Sequence, residues 1–314
     1  MDLIVVGSVA LDDIYTPTGS RERCVGGSAS YFSLAASHFV TPGFVGVVGE
    51  DFPEEAVATF RRCGVDVTGL ERVPGRTFRW AGRYHDDLNE RTSLETELNV
   101  FERFHPKLPA TWCDSPWVFL GNIHPSLQLE VLNQIREPRF VAMDTMDFWI
   151  EGTPDELRKV LARVDAVIIN DGEARKLAGV SGTLRAARAI AEMGPRLVVV
   201  KRGEFGAMLW CEGEWFFAPA FPVDDVVDPT GAGDAFAGGM LGYLARAGRI
   251  DRQTVRQALV AGSVVASFSI EAFSIDRLAS LTSDEINARI AAFRDVTDFE
   301  LPSGVDRARV AAAG

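Results

Sequence analysis

Cysteine, basic charge and long hydrophobic runs are all scarce in this sequence. The 314 residues include four cysteines without metal-ligand spacing or the pattern of a disulfide framework: Cys24, Cys63, Cys113 and Cys211. Scattered thiols of this kind indicate a reducing compartment, and no stretch resembles a signal peptide or a membrane span, so we expect a cytoplasmic protein. The formal net charge of −12 argues against nucleic acid and anionic membrane as partners, because both are bound by basic surfaces.

A dinucleotide fingerprint is missing as well. No Gly-x-Gly-x-x-Gly follows the first predicted strand, which disfavours a dinucleotide-dependent oxidoreductase. What the sequence does contain is an ordinary globular composition, with 47% hydrophobic and 24% charged residues. Its length suits one large α/β domain or two smaller ones.

Short apolar runs of strand length alternate with helical patterns through most of the chain. Continuous apolar strands are typical of a parallel sheet buried on both faces. The alternation therefore predicts a doubly wound, mostly parallel α/β sheet flanked by helices. The predicted strands are 3–7, 44–48, 117–121, 140–143, 166–170 and 197–201, followed by a hairpin of 207–211 and 214–218. The predicted helices are 29–39, 53–63, 126–136, 154–163, 183–193, 234–247, 252–268 and 283–293.

Residues 77–100 break this alternation. They show a period of two residues and then a polar stretch, without the pattern of a buried helix. Such a pattern indicates exposed antiparallel strands that project from the main sheet. From the pattern alone, a surface hairpin without a functional role is the other interpretation.

The stretch from Asp228 to Asp234 combines glycines with a carboxylate at a loop-to-helix junction. The backbone N–H groups of Gly231, Ala232 and Gly233 would point outward from the first helical turn, where the helix dipole adds about half a positive charge. A phosphate fits such a site, and Asp234 beside it can accept a proton from an attacking hydroxyl. The combination indicates phosphoryl transfer, although a capping aspartate after a glycine turn has the same pattern.

The same stretch resembles the C-terminal signature of the ribokinase-like (PfkB-type) carbohydrate kinase family, Asp-Thr-x-Gly-Ala-Gly-Asp followed by a small-residue helix. Further segments resemble that family's motifs, lie in its order and extend over nearly the whole chain. They are the Gly-Gly signature at Gly26-Gly27-Ser28-Ala29-Ser30-Tyr31, the segments Gly46 to Phe52 and Cys63-Gly64-Val65, the pair Asn170-x-x-Glu173, and the Gly-x-x-Gly turn in Lys201-Arg202-Gly203-Glu204-Phe205-Gly206.

The resemblance implies a ribokinase-like fold with a single kinase domain over residues 1–300. A small β lid over the acceptor would come from about 10–22 and 75–102, and residues 301–314 are expected to form a flexible tail. The implied activity is transfer of the γ-phosphoryl group of ATP to a hydroxyl of a small sugar or sugar-like acceptor. Asp234 would be the general base, and the backbone of 231–233 the anion hole.

The resemblance also implies a set of site residues and cofactors. ATP and Mg²⁺ are expected, and a monovalent cation near Asp228 and Thr230 is left open. From the residues alone, Asn170 and Glu173 suit a metal that keeps its waters, and equally a helix cap. The implied residues are Asp12, Gly26, Gly27 and Tyr31 for the acceptor, Lys201, Gly203, Gly206 and Thr230 for the nucleotide, and Asn170 and Glu173 for Mg²⁺ through water.

The acceptor side departs from a typical ribokinase. Tyr31 stands where the family signature usually has Asn, Ala10 stands where ribokinases carry a hydroxyl-binding Asn, and 144–149 replace the usual Asp-x-Asn stretch. Ribose is therefore a poor candidate for the acceptor. Aromatic residues that suit a sugar face, a cyclitol or a nucleoside base are Tyr31, Trp80, Phe148 and Trp149.

Two alternatives to a sugar kinase follow from these departures. A nucleoside kinase of the same fold is the nearer one, and a non-catalytic sensor of a sugar or nucleotide is the other. The presence of Asp234 and Glu173 argues against the sensor. Exposed lid strands also offer an edge through which two copies of the chain would form a homodimer.

Overall fold

A computed structural model describes residues 1–300; the tail expected at 301–314 lies outside the described residues. A nine-stranded sheet forms its centre, and seven consecutive strands of that sheet pair in parallel, as the sequence predicts. The last two strands form an antiparallel hairpin at one edge. In spatial order the strands are β13 (Glu214–Ala218), β12 (Ala207–Cys211), β11 (Leu197–Lys201), β10 (Ala166–Asn170), β9 (Phe140–Met143), β8 (Trp117–Leu120), β1 (Leu3–Val6), β4 (Pro42–Val48) and β5 (Asp66–Arg72).

Helices cover both faces of this sheet and create two hydrophobic cores. Leu3 and Val5 of β1 belong to one core, whereas Ile4 and Val6 belong to the other. Burial on both faces explains why the strands are continuously apolar. Within residues 1–300, no helix has the length and apolar character needed to cross a membrane. The helices are α1 (Ser28–Ser37), α2 (Glu54–Arg62), α3 (Pro125–Gln134), α4 (Asp147–Gly152), α5 (Pro154–Leu161), α6 (Asp171–Ala178), α7 (Thr183–Ala191), α8 (Ala232–Ala247), α9 (Arg252–Ser269), α10 (Asp276–Ser280) and α11 (Ser283–Thr297).

Small residues let α8 pack closely between α1 and α9. A Cβ on Gly238 would overlap the carbonyl oxygen of Phe32 in α1, and a Cβ on Gly262 in α9 would lie 2.7 Å from the carbonyl oxygen of Phe236. Close packing on both sides fixes the axis of α8, so its first turn is held rigidly. The small-residue pattern of this helix therefore serves the placement of its N-terminus.

A second, four-stranded sheet projects from the body, with spatial order β3-β2-β6-β7. The expected antiparallel strands at 75–102 are present, and the N-terminal contribution runs on to Gly26 instead of ending near residue 22. Its strands are β2 (Ala10–Thr16), β3 (Gly19–Gly26), β6 (Phe78–Tyr84) and β7 (Arg91–Glu97). We call this sheet the lid sheet; that it functions as a lid stays a prediction.

The sequence patterns miss four elements of the body. One is α6, which follows β10 directly. β5 is an edge strand in which only Gly69 is buried, so it has no apolar run to reveal it. The short helices α4 and α10 each bury a single side chain, Ile150 and Leu278, which is too little for a periodic signal. The predicted body strands and helices are all present.

Candidate active site

The predicted site residues gather at the carboxyl ends of the central parallel strands. Asn170 and Lys201 are the last residues of β10 and β11, and Asp144 follows β9. The first turn of α8 brings Asp234 to the same edge, where the charges of Asp144 and Lys201 act on it. Open α/β sheets bind ligands at this edge, because successive loops converge there.

Gly231 begins α8 in a left-handed conformation, with φ 74° and ψ 0°. A Cβ at this position would overlap the ring of Tyr31, so both the backbone angle and the space require glycine. The N–H of Ala232 donates to the carbonyl of Pro229 at 3.2 Å, whereas the N–H groups of Gly231 and Gly233 have no protein acceptor within residues 1–300. Two of the three N–H groups expected to form the anion hole are therefore free donors, and the third is engaged within the turn.

Lys201 reaches this helix terminus from β11. Its ammonium lies 3.5 Å from Oδ2 of Asp144, and a Cβ on Gly233 would lie 2.7 Å from Nζ. Burial alone lowers the pKa of Lys201, but the charges of Asp144, Glu173 and Asp234 raise it above its ordinary value. The residue expected on the nucleotide side thus lies beside the candidate base.

Three carboxyl groups act on that one ammonium: Asp144 and Glu173, which are buried, and Asp234, which is partly exposed. Burial, and then the charge of Asp144, raise the pKa of both Asp234 and Glu173 to about 7. Burial also raises the pKa of Asp144 itself, although Lys201 opposes the shift. A carboxyl group with a pKa near neutrality can accept a proton and release it again, as general base catalysis requires.

Asn170 and Glu173 form a capping box at the start of α6. The N–H of Glu173 donates to Asn170 Oδ1 at 2.8 Å, and the N–H of Asn170 donates to Glu173 Oε2 at 3.1 Å. The cap occupies one carboxylate oxygen and so is compatible with a metal held through water. In the described chain no three His, Cys, Asp or Glu side chains cluster as metal ligands, so a metal here would take most of its ligands from water and phosphate.

Asp12 lies on β2 at the junction of the lid sheet with the body. It is buried, and Oδ1 has no hydrogen-bond partner within residues 1–300. A Cβ on Gly26 would overlap this carboxylate, while Gly27, with φ 93°, passes close to the backbone of Ser8. Burial, and next the charge of Asp228, raise the pKa of Asp12 well above its ordinary value. A buried acceptor oxygen without a partner suits a ligand hydroxyl.

The expected aromatic residues do not form a single wall. Tyr31 is 1% exposed and lies behind Gly231, and its hydroxyl has no partner among the described residues. Trp80 donates to Ser93 within the lid sheet at 3.0 Å. Phe148, which is 65% exposed, packs edge-on against Trp149 with ring centroids 4.8 Å apart. Tyr31 thus packs behind the loop at Gly231. The exposed aromatic surface comes from α4.

The lid sheet extends over this whole edge. The hydroxyl of Thr230 donates to the hydroxyl of Tyr84 at 3.1 Å, next to the start of α8. At the far end, a Cβ on Gly203 would overlap the amide oxygen of Asn89, which lies in the turn between β6 and β7. Gly203 (φ 54°) and Gly206 (φ 84°) shape the turn from β11 to β12, where the N–H of Arg202 donates to Gly206 at 2.8 Å.

Two residues of this site escaped the sequence analysis as functional candidates. Asp144 follows a buried strand at the carboxyl edge, a signal that sequence reasoning can use. Arg91 pairs with Tyr84 across β6 and β7, and its charge opposes the raised pKa of Asp144 and Asp234. No sequence signal indicates Arg91, because its position depends on the pairing of the two lid strands.

The raised pKa values of Asp234 and Glu173 predict a stability that falls as the pH rises. The pKa values of Asp234 and Glu173 in the folded chain, about 7, exceed the ordinary values of 3.8 and 4.5, so the folded chain holds more protons than the unfolded chain between about pH 4 and 7. This contribution to stability is lost as the pH passes through about 7. We expect Asp234→Asn to raise the Tm of the protein by about 5 °C at pH 8.5 but by only about half as much at pH 5.5, where the folded chain still holds the proton. Equal gains at both pH values in thermal unfolding would contradict the raised pKa.

Comparison with known proteins agrees with this fold. Residues 18–277 match the family model described as pfkB family carbohydrate kinase. A cytidine kinase from Thermococcus kodakarensis is 32% identical over 266 residues, which cover 82% of this chain and 94% of that protein.

Two solved structures share the fold. The nucleoside kinase of Methanocaldococcus jannaschii superposes with a TM-score of 0.75 at 17% identity, over 93% of this chain and 99% of that one. The aminoimidazole riboside kinase of Salmonella enterica, complexed with aminoimidazole riboside and an ATP analog, gives a TM-score of 0.70 at 23% identity, over 92% and 99%. The chain therefore belongs to the pfkB family of carbohydrate kinases and is a phosphotransferase with a hydroxyl acceptor.

Proposed function

We propose that this kinase transfers the γ-phosphoryl group of ATP to a hydroxyl of a sugar-like acceptor bound at Asp12. The observation that carries the proposal is Asp234, a partly buried carboxyl group with a pKa of about 7 in the first turn of α8, beside two free backbone N–H groups. A base and an anion site at one helix terminus are the two parts that phosphoryl transfer to an alcohol needs.

Asp234 accepts the proton of the acceptor hydroxyl as its oxygen attacks the γ-phosphorus. The partnerless Oδ1 of Asp12 accepts a hydrogen bond from a second acceptor hydroxyl and so orients the attacking one. Gly26 leaves space for that carboxylate, because a Cβ there would overlap it, and Gly27 lets the chain pass close to the backbone of Ser8. The bond from the γ-phosphorus to the bridging oxygen breaks, and ADP leaves.

Charge on the transferring group is stabilised from three directions. The N–H groups of Gly231 and Gly233 donate to its oxygens, and preorganised donors of this kind are each worth about 3 kcal/mol. Lys201 supplies a positive charge from β11, and Arg91 supplies one from the lid sheet. Gly203 and Gly206 let the turn after β11 approach the nucleotide phosphates closely.

Asn170 and Glu173 would hold Mg²⁺ through its waters. When bound, Mg²⁺ neutralises charge on the β- and γ-phosphate oxygens. Glu173 is buried next to Asp144 and Lys201, and its second carboxylate oxygen is not used by the capping box. A buried carboxyl group with neighbouring charges and one free oxygen is what we expect of a residue that binds the waters around a cation.

Glu173→Gln tests this metal role without disturbing the helix. Glutamine also forms capping boxes, so α6 keeps its N-terminal hydrogen bonds while the negative charge is lost. Since loss of a group that orients a metal typically costs about 10- to 100-fold in metal affinity, we expect the Mg²⁺ concentration for half-maximal rate to rise by about that factor. Glu156→Gln, at a partly exposed position in the first turn of α5, is the matched control. An unchanged Mg²⁺ requirement would remove Glu173 from the metal site.

A ribonucleoside is the second candidate for the acceptor. The specific observation in its favour is the 32% identity to a cytidine kinase over most of both chains. The exposed Phe148 and its neighbour Trp149 offer aromatic surface on which a base can stack. Coupled ADP release with ATP and Mg²⁺ against hexoses, pentoses, sugar acids, cyclitols and nucleosides separates the two candidates.

Each outcome of that panel has a definite meaning. Turnover of sugars or cyclitols, with nucleosides inactive, establishes the first candidate. Turnover of nucleosides at a kcat/KM well above that of any sugar establishes the second. Silence across the whole panel, with ATP binding intact, would reject both acceptor classes.

Dimerisation and cation dependence stay predictions. The outer strands of the lid sheet, β3 and β7, provide the edges through which two copies would pair. A monovalent cation near Asp228 and Thr230 would show as a change of rate when K⁺ replaces a large organic cation.

A further inference from the structure

We propose that Asp144 is a positioning residue, which holds the ammonium of Lys201 against the first turn of α8 so that Lys201 contacts the phosphoryl group in transfer. The inference rests on the proposed function, because it assigns a task to a residue next to the proposed base. Asp144 acts through Lys201 and itself contacts neither the acceptor nor the nucleotide.

The two side chains come from strands that are separated by β10. Asp144 is fixed on every side: its N–H donates to the carbonyl of Leu120 at 2.9 Å, its carbonyl accepts from Gln128 Nε2 at 3.1 Å, and Oδ1 accepts from the N–H of Thr145 at 2.7 Å. The remaining oxygen, Oδ2, faces Lys201. A carboxylate held this firmly determines where the ammonium lies.

Lys201 occupies a position that requires a neighbouring negative charge. A Cβ on Gly233 would lie 2.7 Å from Nζ, so the positive side chain abuts the positive end of a helix of 16 residues. That arrangement is unfavourable in a buried site unless negative groups offset it. The charges of Glu173 and Asp234 contribute to this offset, and Asp144 is the one carboxylate among the described residues that is hydrogen-bonded to the ammonium. A phosphoryl group bound at Gly231 and Gly233 would add to the offset during the reaction.

The ion pair between Asp144 and Lys201 is long enough to leave the ammonium available for a phosphoryl oxygen. The distance of 3.5 Å between Nζ and Oδ2 is longer than the roughly 2.8 Å of a strong charge-assisted hydrogen bond. An ammonium has three protons, and within residues 1–300 no other hydrogen-bond acceptor is recorded for Nζ. At least one proton is therefore free to point towards an incoming phosphoryl oxygen.

A double-mutant cycle tests the proposal. Asp144→Asn, Lys201→Met and the double variant are compared by kcat and KM on the acceptor that the wild type turns over. We expect about a tenfold loss of kcat for Asp144→Asn and about a hundredfold loss for Lys201→Met, with little change in the acceptor KM. In the double variant the loss should equal that of Lys201→Met alone, because Asp144 has nothing left to position.

The opposite results are equally definite. Independent, multiplicative losses in the double variant would overturn the proposal. So would an Asp144→Asn variant whose Mg²⁺ requirement rises as in Glu173→Gln, because Asp144 would then be a metal residue. Asp144→Asn leaves Lys201 buried without its partner and can fail to fold for that reason, whereas the double variant removes both charges and is expected to fold.

A binding measurement without acceptor keeps this inference separate from the proposed acceptor. In calorimetric titrations with Mg²⁺, the wild type should bind a non-hydrolysable ATP analogue more tightly than ADP, and Asp144→Asn should reduce that ratio about fivefold or more. Asp147→Asn, which alters an exposed ion pair with Lys176 instead, should keep the wild-type ratio. A reduced ratio in a protein that phosphorylates none of the panel would uphold the pair and reject the acceptor classes. An unchanged ratio in an enzyme that phosphorylates an acceptor of the panel would reject the role of the Asp144–Lys201 pair and uphold the acceptor class.

Discussion

Asp234→Asn is expected to lower kcat by about a hundred- to ten-thousand-fold, the usual contribution of a general base. The amide has the shape of the carboxyl group but accepts no proton from the attacking hydroxyl. Neither neighbour can replace it, since Asp144 is engaged with Lys201 and Glu173 caps α6. The measurement is coupled ADP release at saturating ATP, Mg²⁺ and acceptor, at pH 8, where the carboxyl group is mostly ionised.

The fold of this variant should be intact and more stable than the wild type at that pH. Asp284→Asn, an exposed aspartate in the first turn of α11, is the matched control and should keep the wild-type rate. ATP affinity should change little, because Asp234 would meet the acceptor and not the nucleotide. A near wild-type kcat in Asp234→Asn would show that another group takes the proton.

The body of the fold could be predicted because its signals are local. Strands such as β1 and β10 are buried on both faces, so hydrophobicity alone reveals them. The start of α8 was equally visible, because Gly231 meets a conformational requirement that few other residues satisfy. β5 stayed hidden for the opposite reason: an edge strand with exposed side chains has no apolar pattern.

The charge arrangement of the site could not be predicted, because it depends on distant parts of the chain. The contact between Asp144 and Lys201 across β10 follows from the strand order of the sheet, which the sequence does not reveal. Arg91 reaches the site through the register of β6 and β7, which shifts between Ala81 and Gly82. The place of Tyr31 behind Gly231 likewise depends on the packing of α1 against α8, and its role towards the acceptor stays a prediction.

The lid sheet contacts the candidate site at several points along its length. It carries Asp12 at its base, meets Thr230 through Tyr84, and reaches Gly203 through Asn89. The proposed sites of the acceptor, the transferring group and the nucleotide phosphates thus all lie near one small sheet. We predict that closure of this sheet would exclude water from the reacting groups and so protect ATP from hydrolysis.

Gly231→Ala is expected to lower both the kcat and the Tm of this protein. The new Cβ would overlap the ring of Tyr31, which is fully packed in the core and cannot retreat. The loop must therefore move, and the N–H groups of Gly231 and Gly233 move with it. Since loss of one preorganised donor costs about 10²- to 10³-fold in kcat, we expect a loss of at least that size, together with a lower Tm.

Gly248→Ala separates this cause from simple backbone strain. Gly248 ends the same helix with φ 64°, close to the 74° of Gly231, but a Cβ there would meet nothing within 4 Å. Both variants carry the strain of about 1–2 kcal/mol for alanine in a left-handed conformation, so both should lose stability. Only Gly231→Ala should lose activity, and part of that loss should return when Tyr31 is replaced by serine, because the serine leaves room for the methyl group. Equal loss of kcat in both alanine variants would mean that the stability of α8, and not the placement of its N-terminal donors, limits the reaction.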